Sequence, residues 1–270
     1  MGLKGKKIIE QKDDHVLLEV MAGENWHDFV LWTLDNNFYG LENLSLIPGN
    51  VGTCPIQNIG AYGVEVKQFV QSVQVLEIST GKQITLHNSE LAFGYRDSIF
   101  KGSQKGKYII LSVLFKLATK DYKTQISYGA IGDKLLELGL GKSPKEVSQA
   151  VMAIRNEKIP DPKVVGNSGS FFKNPQISTQ VFEKLKVSFP KMVAYPIDEN
   201  QVKLAAGWLI DNLSLKGKQI GGAAVHQNQA LVLINKENAS GDDVLQLSAH
   251  IISEVKKAYQ IQLEAEVNIY

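Results

Sequence analysis

The chain has 270 residues, with 29 Lys and Arg against 28 Asp and Glu, and a formal net charge of +1. Apolar residues make up 44% and charged residues 21% of the sequence, which is typical of a folded protein with one large or two ordinary domains. This charge balance argues against a general nucleic-acid binder, which carries a strong basic excess. The single cysteine, Cys54, excludes an intramolecular disulfide and a multi-cysteine metal site.

The first residues of the sequence do not resemble a signal peptide. Residues 1–7 are basic, but the apolar core of a signal peptide does not follow them. No run of the sequence approaches the 18 apolar residues of a transmembrane helix. We therefore expect a cytoplasmic protein without a membrane span.

Hydrophobic periodicity predicts both strands and helices in the first part of the chain. In chain order we predict a strand over 16–20, a helix over 24–36, a hairpin of strands 69–78 and 83–86, a helical turn from Ser89, a strand over 108–117 and a helix over 144–155. The last helix repeats apolar residues at i, i+3, i+4 and i+7, and Ser143 is its predicted N-cap. Two prolines within three residues then predict a domain boundary at Pro160.

The second part of the chain predicts an α+β arrangement. Here we expect helices over 179–189 and 205–213, a hairpin over 223–234, a long helix over 242–259 and a final strand over 261–269. A hairpin flanked by helices is typical of α+β folds. The predicted fold class is therefore α+β, with one domain over 1–159, a smaller α+β domain over 160–260 and a C-terminal strand over 261–270.

The common nucleotide-binding motifs are incomplete in this sequence. The segment from Gly139 to Ser143 ends like a phosphate loop, but that motif requires a glycine where Leu136 stands. We expect the end of one helix and the start of another there. No G-x-G-x-x-G motif follows a strand, so a Rossmann nicotinamide site is not indicated. The five histidines lack the spacing of zinc ligands, and we expect no metal.

A glycine- and proline-rich stretch without periodicity, residues 48–65, is the strongest signal of a functional loop. Glycine lets the backbone approach a ligand closely, and proline stiffens the chain. A loop of this length inside a compact domain is usually functional or disordered, and its apolar content favours order. Its backbone N–H groups suit a flat, hydrogen-bonding cofactor such as an isoalloxazine ring. The alternative is an ordinary connecting loop.

Two further segments carry residue types that protonate or bind an anion. Small residues and glycines deliver Ser170 onto a turn, where its hydroxyl can donate a proton, bind an oxyanion or satisfy the local backbone. Arg96 lies between apolar residues near a chain reversal, where its planar fork can clamp a carboxylate or pair with a neighbouring acid. The sequence around Ser170 is not a G-x-S-x-G elbow, so a hydrolase is not indicated.

Together and in this order, these segments resemble the UDP-N-acetylenolpyruvoylglucosamine reductase family of peptidoglycan precursor synthesis. The resemblance runs over nearly the whole chain, with motifs at 22–26, 48–65, 94–101, 166–175, 203–210, 221–226 and 263–267. It implies part of a vanillyl-alcohol-oxidase-type FAD-binding domain, followed by a smaller α+β substrate-binding domain. It also implies an FAD enzyme that takes hydride from NADPH and reduces UDP-N-acetylglucosamine enolpyruvate to UDP-N-acetylmuramate.

The resemblance also implies site residues by their positions in these motifs. Ser170 is expected to protonate the carbanion, with Arg96 and Glu266 near the substrate carboxylate. FAD is expected on Pro55, Ile56, Gln57, Asn58, Ile59, Gly60, Ala61 and Gly63. The nucleotide part of the substrate is expected near Tyr128, Lys158, Asn174 and Gln229. A glutamate beside a substrate anion needs a proton or a compensating cation, so Glu266 is either an acid or an orienting group.

The start of the chain departs from the family pattern. Family members usually begin the flavin domain with a segment whose glycine–serine–asparagine loop binds the FAD diphosphate, and we find no equivalent before Val16. We therefore expect the first domain to lack its N-terminal subdomain and to expose apolar surface. One alternative is a truncated, inactive or weakly FAD-binding remnant that binds only a UDP-sugar. Another is a flavin enzyme such as a sugar oxidase, against which Ser170 and Glu266 weigh.

Overall fold

The computed structural model describes residues 2–269, which divide into two compact units between Arg155 and Asn156. The sequence predicts the boundary slightly later, at Pro160. The difference arises because the helix that begins at Pro144 continues to Lys158 and crosses the division. Its buried residues end at Ile154 and pack in an apolar cluster that belongs to the first unit.

The first unit is built on a five-stranded antiparallel sheet with the order β1-β2-β7-β5-β6. Its elements are β1 (Lys6–Gln11), β2 (His15–Met21), α1 (Trp26–Asp35), β3 (Gly60–Ala61), β4 (Val64–Glu65), β5 (Val70–Glu77), β6 (Gln83–His87), β7 (Tyr108–Ala118), α2 (Ile131–Glu137) and α3 (Pro144–Lys158), with 3-10 turns at Glu42–Leu44, Val51–Thr53, Val66–Gln68 and Asn88–Glu90. β3 and β4 form a separate hairpin within the glycine-rich stretch.

Alternation along β2 buries Val16, Leu18 and Val20 on one face of the sheet. Helix α1 contributes to the same core, and the rings of Phe29 on α1 and Phe115 on β7 are 5.1 Å apart between centroids. The apolar residues that alternate along the strand and those spaced at about 3.6 residues along the helix therefore pack in one core. This core supports the start of the glycine-rich stretch.

Strand β1 is absent from the sequence predictions, because its residues do not alternate between buried and exposed. It forms an edge of the sheet and pairs with β2, with a shift of register between Ile8 and Glu10. Ile8 and Ile9 are about half exposed, and so are Ile78 and Ile109 on the same unit.

The second unit contains two small antiparallel sheets, with the orders β10-β11-β9 and β12-β13-β14-β8. Its elements are β8 (Asn167–Ser170), β9 (Gln176–Ser178), α4 (Thr179–Ser188), β10 (Ala194–Pro196), β11 (Gln201–Leu204), α5 (Ala206–Asn212), β12 (Gln219–Ile220), β13 (Ala223–Val225), β14 (Val232–Asn235) and α6 (Gly241–Tyr259). Helices α5 and α6 supply Leu209, Ile251 and Val255 to its core.

The predicted C-terminal strand over 261–270 is not a regular strand in the described part of the chain. A single β-bridge joins Ala265 to Phe172, and Leu263 is buried in the core of the second unit. Pairing over so few residues fixes an extended segment without a continuous ladder. This segment nevertheless carries Glu266 to the end of β8.

Candidate active site

The glycine-rich stretch starts on the end of β2, where Gly52 allows close contact with Ala22. A Cβ atom at Gly52 would lie 2.6 Å from Ala22 Cβ, and the Gly52 N–H donates to the Ala22 carbonyl at 2.9 Å. Cys54 follows and is buried, and this burial raises the pKa of its thiol well above the usual range. Cys54 is therefore a packed side chain rather than a nucleophile.

Asn58 is the buried centre of the stretch. Its side-chain amide donates to the Gly94 carbonyl at 2.8 Å and to Glu65 Oε2 at 3.1 Å, while its Oδ1 accepts from the Lys67 N–H at 3.0 Å. Its own backbone N–H, on a fully buried residue, and that of half-buried Gln57 make no backbone–backbone hydrogen bond within residues 2–269. Because a buried N–H without an acceptor is costly, the Asn58 donor in particular fits the oxygen or nitrogen acceptors of an isoalloxazine ring.

Arg96 reaches the same stretch from a neighbouring loop. Its guanidinium donates to the Gly60 carbonyl, and Nη1 lies 3.8 Å from Glu65 Oε1. A Cβ at Gly60 would lie 2.6 Å from Arg96 Nη1 and 3.0 Å from the Val64 carbonyl oxygen, so a larger residue there would displace the guanidinium. The structure thus brings the predicted catalytic arginine onto the predicted cofactor residues.

Tyr128 lies against the far end of the stretch. Gly63 adopts a φ of +82°, and a Cβ at this position would lie 3.1 Å from Tyr128 Cβ. The Asn43 side chain donates to the carbonyls of Tyr62, at 3.0 Å, and Gln125, at 2.8 Å. Asn43 therefore ties the segment that leads to Tyr128 onto the glycine-rich stretch.

Beside Asn43, the buried acid Glu42 pairs with the half-buried phenol of Tyr122, which the sequence predictions missed. Glu42 Oε2 accepts from the Gly40 N–H at 2.9 Å. Burial raises the pKa of Glu42, and burial beside this carboxyl raises the pKa of Tyr122. Tyr122 also stacks on Tyr39 with 6.2 Å between the ring centroids. Nothing in the local sequence indicates this pair, because the two residues lie far apart in the chain.

Arg155 is a second half-buried cation near this stretch that the sequence predictions missed. Its Nε donates to the Leu46 carbonyl at 3.2 Å, and His27 Nδ1 accepts from the Leu46 N–H at 3.0 Å. Burial lowers the pKa of Arg155, although nearby Tyr62 opposes the shift. Burial also lowers the pKa of His27, and Arg155 contributes to that lowering. The periodicity places Arg155 at the end of a predicted helix and indicates no contact for its guanidinium.

In the second unit, Ser170 is the exposed last residue of β8. Gly169, with a φ of +72°, turns the chain just before it, and Val232 of β14 pairs with it. Phe171 and Phe172 follow and are buried in the core. A small, turned segment and two buried rings therefore present the Ser170 hydroxyl on a rigid support.

Glu266 lies next to this support. Its backbone N–H donates to the Phe171 carbonyl at 2.8 Å, so it is held beside the residue that follows Ser170. Lys173, which is close to Ser170 in sequence, has its ammonium 3.5 Å from Glu264. The structure therefore brings the backbone positions of the two predicted catalytic residues of this unit close together.

Asn174 and Gln229 meet at the start of α5. Asn174 Oδ1 accepts from the Ala206 N–H at 2.9 Å, and Gln229 Oε1 lies 3.6 Å from where a Cβ at Gly207 would be. Asn174 thus also caps this helix, a role that the sequence does not indicate. Lys158 is the exposed last residue of α3.

The described residues hold no group of three or more His, Cys, Asp or Glu that could bind a metal ion. None of the helices between residues 2 and 269 has the length and apolar character needed to cross a bilayer.

Comparison with known proteins bears directly on the residues of this site. The family model "FAD binding domain" matches residues 2–87, which include the glycine-rich stretch. The model "UDP-N-acetylenolpyruvoylglucosamine reductase, C-terminal domain" matches residues 161–270, which include Ser170 and Glu266. The FAD cofactor and the two-domain α+β fold that the sequence predicts are thereby confirmed.

Individual relatives match over the whole chain. A protein named UDP-N-acetylenolpyruvoylglucosamine reductase from Flavobacterium johnsoniae is 52% identical over 270 residues, covering 100% of this chain and 80% of that protein. One of the same name from Neisseria gonorrhoeae is also 52% identical, covering 99% of this chain and 78% of that protein. The crystal structure of the reductase from Thermus caldophilus, 23% identical, shares the fold with a TM-score of 0.62 over 93% of this chain and 72% of that one. The chain belongs to the UDP-N-acetylenolpyruvoylglucosamine reductase family.

Proposed function

We propose that this protein reduces UDP-N-acetylglucosamine enolpyruvate to UDP-N-acetylmuramate, using NADPH and FAD, in the cytoplasmic synthesis of peptidoglycan precursors. The observation that carries the proposal is the placement of Arg96 on the FAD-binding stretch of a chain that is 52% identical to named reductases over its whole length. The family matches favour this reaction over a UDP-sugar-binding remnant and over a sugar oxidase. By serving cell-wall growth, the reaction would also support cell shape and division.

Residues 55–63 would hold the isoalloxazine ring, with the N–H groups of Gln57 and Asn58 as donors. Bound there, FAD would supply the chemistry of hydride transfer from NADPH to the terminal vinyl carbon of the substrate. The protein must then stabilise negative charge that develops at the neighbouring carbon and spreads into the substrate carboxylate.

Arg96 would stabilise that charge. Its planar fork can donate to both oxygens of a carboxylate, and one preorganised donor of this kind lowers the barrier by about 3 kcal/mol. Glu266 can stand near the same carboxylate if it carries a proton or if Arg96 compensates its charge.

Ser170 would hold the proton that the carbanion receives. A serine hydroxyl is a weak acid, so the groups around it have to stabilise its alkoxide or refill its proton. Tyr128, Asn174 and Gln229 would bind the nucleotide part of the substrate, and Lys158 would meet the diphosphate as a point charge.

Substitution of Ser170 by alanine tests the proposal. Under anaerobic conditions the wild-type protein, loaded with FAD, should consume NADPH beyond one equivalent per flavin only when the enolpyruvyl substrate is present. Ser170→Ala should keep flavin reduction by NADPH but lose turnover by about 100-fold or more, because a positioned general acid contributes at least that factor. Anaerobic stopped-flow absorbance separates the two steps.

Ser168→Ala is the matched control, because Ser168 is an exposed serine of the same strand. Its turnover should equal that of the wild type. Failure of the wild-type protein to bind FAD or to oxidise NADPH with this substrate would refute the proposed function. Unchanged turnover in Ser170→Ala would remove Ser170 as the acid.

A further inference from the structure

The Glu65 carboxylate is the point at which the contacts around Arg96 converge. Its Oε1 lies 3.8 Å from Arg96 Nη1. Its Oε2 accepts from the Asn58 amide at 3.1 Å and lies 3.0 Å from Lys67 Nζ. The Glu65 side chain is 24% exposed, so protein groups rather than bulk water fix much of its surroundings. A carboxylate with partners on both oxygens has a defined orientation.

Arg96 is held at both of its terminal nitrogens. Nη2 donates to the Gly60 carbonyl, and Nη1 faces Glu65. Gly60 and Glu65 are directly paired across the β3–β4 hairpin, so both acceptors belong to one small element. A planar guanidinium that contacts two fixed acceptors is restricted in both position and plane.

The backbone at Arg96 needs this support. Arg96 adopts a φ of +55°, in the left-handed region that residues with a side chain seldom occupy. A β-bridge between Gly94 and Asp97 closes the loop around it. Asn58 links that loop to the carboxylate, because its amide donates to both the Gly94 carbonyl and Glu65.

We propose that Glu65 is a positioning residue, whose carboxylate orients the Arg96 guanidinium toward the carboxylate of the substrate during hydride transfer. This inference rests on the proposed function, in which Arg96 meets that carboxylate. Glu65 acts through Arg96 and leaves the contact with substrate to the arginine. The resemblance by which Arg96 was identified did not single out Glu65.

A negative group beside an anion site has two opposing effects, which give the proposal a distinctive signature. Glu65 aligns Arg96 for the reaction, but its charge also opposes the approach of the substrate anion. Loss of the charge should therefore lower kcat without raising KM for the enolpyruvyl substrate. A general loosening of the loop would instead raise KM, release FAD or lower the unfolding temperature.

Glu65→Gln tests the proposal, because it keeps the shape of the side chain and removes its charge. In single-turnover experiments, NADPH should reduce the bound flavin at the wild-type rate. Reoxidation by the enolpyruvyl substrate should slow by about 10- to 100-fold, since a small misplacement of a catalytic group has an effect of this size. KM for that substrate should stay equal or fall.

A double-mutant cycle shows whether Glu65 acts through Arg96. In an Arg96→Ala background, Glu65→Gln should change the reoxidation rate by no more than about twofold, because the group that it orients is gone. Glu10→Gln is the matched control, because it also removes a carboxylate that pairs with a lysine. Glu10 Oε1 lies 2.7 Å from Lys12 Nζ, but on the β1–β2 hairpin, away from the glycine-rich stretch. Its kinetics should equal those of the wild type.

Three results would overturn the proposal. The first is an unchanged rate of flavin reoxidation in Glu65→Gln. The second is an equal loss of this rate when Glu65→Gln is made in the wild-type and in the Arg96→Ala protein. The third is a loss of FAD or of thermal stability in Glu65→Gln. If the wild-type protein shows no turnover, the proposed function fails separately. Calorimetric titration with the enolpyruvyl substrate then decides the role of Glu65. If the effects of Glu65→Gln and Arg96→Ala on the binding constant are coupled, the positioning role is supported. If the two effects are additive in the free energy of binding, the role is overturned.

Discussion

Single buried polar side chains join the loops of the candidate site. Asn58 connects Gly94 and Lys67, which lie on separate segments, and Asn43 connects Tyr62 with Gln125. An amide can do this because it carries both donors and an acceptor and no charge. Glu42 occupies a similar buried position next to Asn43, but as an ionisable acid.

The Glu42→Gln variant should flatten the pH dependence of stability. Burial raises the pKa of Glu42 above its ordinary 4.5, so the native state binds a proton more tightly than the unfolded chain does. Between 4.5 and the raised pKa, the free energy of unfolding therefore falls as pH rises, by up to about 1.4 kcal/mol per pH unit. Glutamine cannot ionise, so the stability of Glu42→Gln relative to the wild type should increase as pH rises.

Urea unfolding at a series of pH values above 4.5 measures this effect. Glu183→Gln is the control, because Glu183 is exposed on α4 and its replacement should leave the profile unchanged. Parallel profiles for the wild type and Glu42→Gln would contradict the prediction.

The longer elements follow from the sequence, whereas the short ones depend on distant partners. The predicted helices over 24–36 and 242–259 correspond to α1 and α6 within two residues at each end, because their apolar spacing reflects a buried face. Strands β8 to β11 have only three or four residues, which is too short for a periodic signal. Their existence depends on pairing with distant residues.

In the candidate site, too, local sequence predicts some features, whereas others depend on contacts between distant residues. A glycine-rich stretch can be recognised from composition alone. The bond from Arg96 to Gly60 spans 36 residues of sequence, and spacing contains no sign of it. Glu65 and Asn43 were missed for the same reason, since their partners lie on other segments. Family motifs identified Ser170 and Glu266, but only the β-bridge beside them shows how the chain brings the two segments together.

Gly52→Ala should displace the glycine-rich stretch from β2. The new Cβ would lie 2.6 Å from Ala22 Cβ and 3.1 Å from the Ala22 carbonyl oxygen, and a backbone neighbour cannot easily move away. We expect a loss of about 1–3 kcal/mol in the free energy of unfolding, as for other overpacked sites, together with weaker FAD binding. Urea unfolding and flavin titration measure the two effects.

Gly132→Ala is the matched control for that variant. Gly132 lies inside α2, and its nearest neighbour for a new Cβ is 4.0 Å away. Alanine is the better helix former, so stability should stay equal or rise by up to about 1 kcal/mol. Equal FAD affinity in Gly52→Ala and the wild type would contradict the role given to this contact.

On the scale of the whole molecule, the two units have separate apolar cores. The first is built around Phe29, Leu44 and Phe115, and the second around Leu209 and Ile251. The glycine-rich stretch belongs to the first unit, whereas Ser170 and Glu266 belong to the second. The proposed function thus assigns cofactor binding and proton donation to units with different cores.

Core substitutions should separate these two functions. Leu209→Ala in the second core should cost about 2–5 kcal/mol of stability and reduce turnover, but leave the FAD content per protein unchanged. Leu44→Ala, at an equally buried leucine of the first core, should lower both FAD content and turnover. Flavin absorbance of the purified variants at a temperature where each is folded measures the difference, and loss of FAD in Leu209→Ala would contradict it.

The irregular edge strand β1 also affects how copies of this protein meet one another. An outer strand presents unpaired N–H and C=O groups, which can pair with a strand of another molecule and start aggregation. The register shift between Ile8 and Glu10 interrupts that row of groups, and Lys6 and Lys7 place charge beside it. The two exposed isoleucines of β1 are therefore flanked by features that oppose strand addition. We therefore expect this strand, which supplies none of the proposed site residues, to resist pairing with other copies at the edge of the sheet.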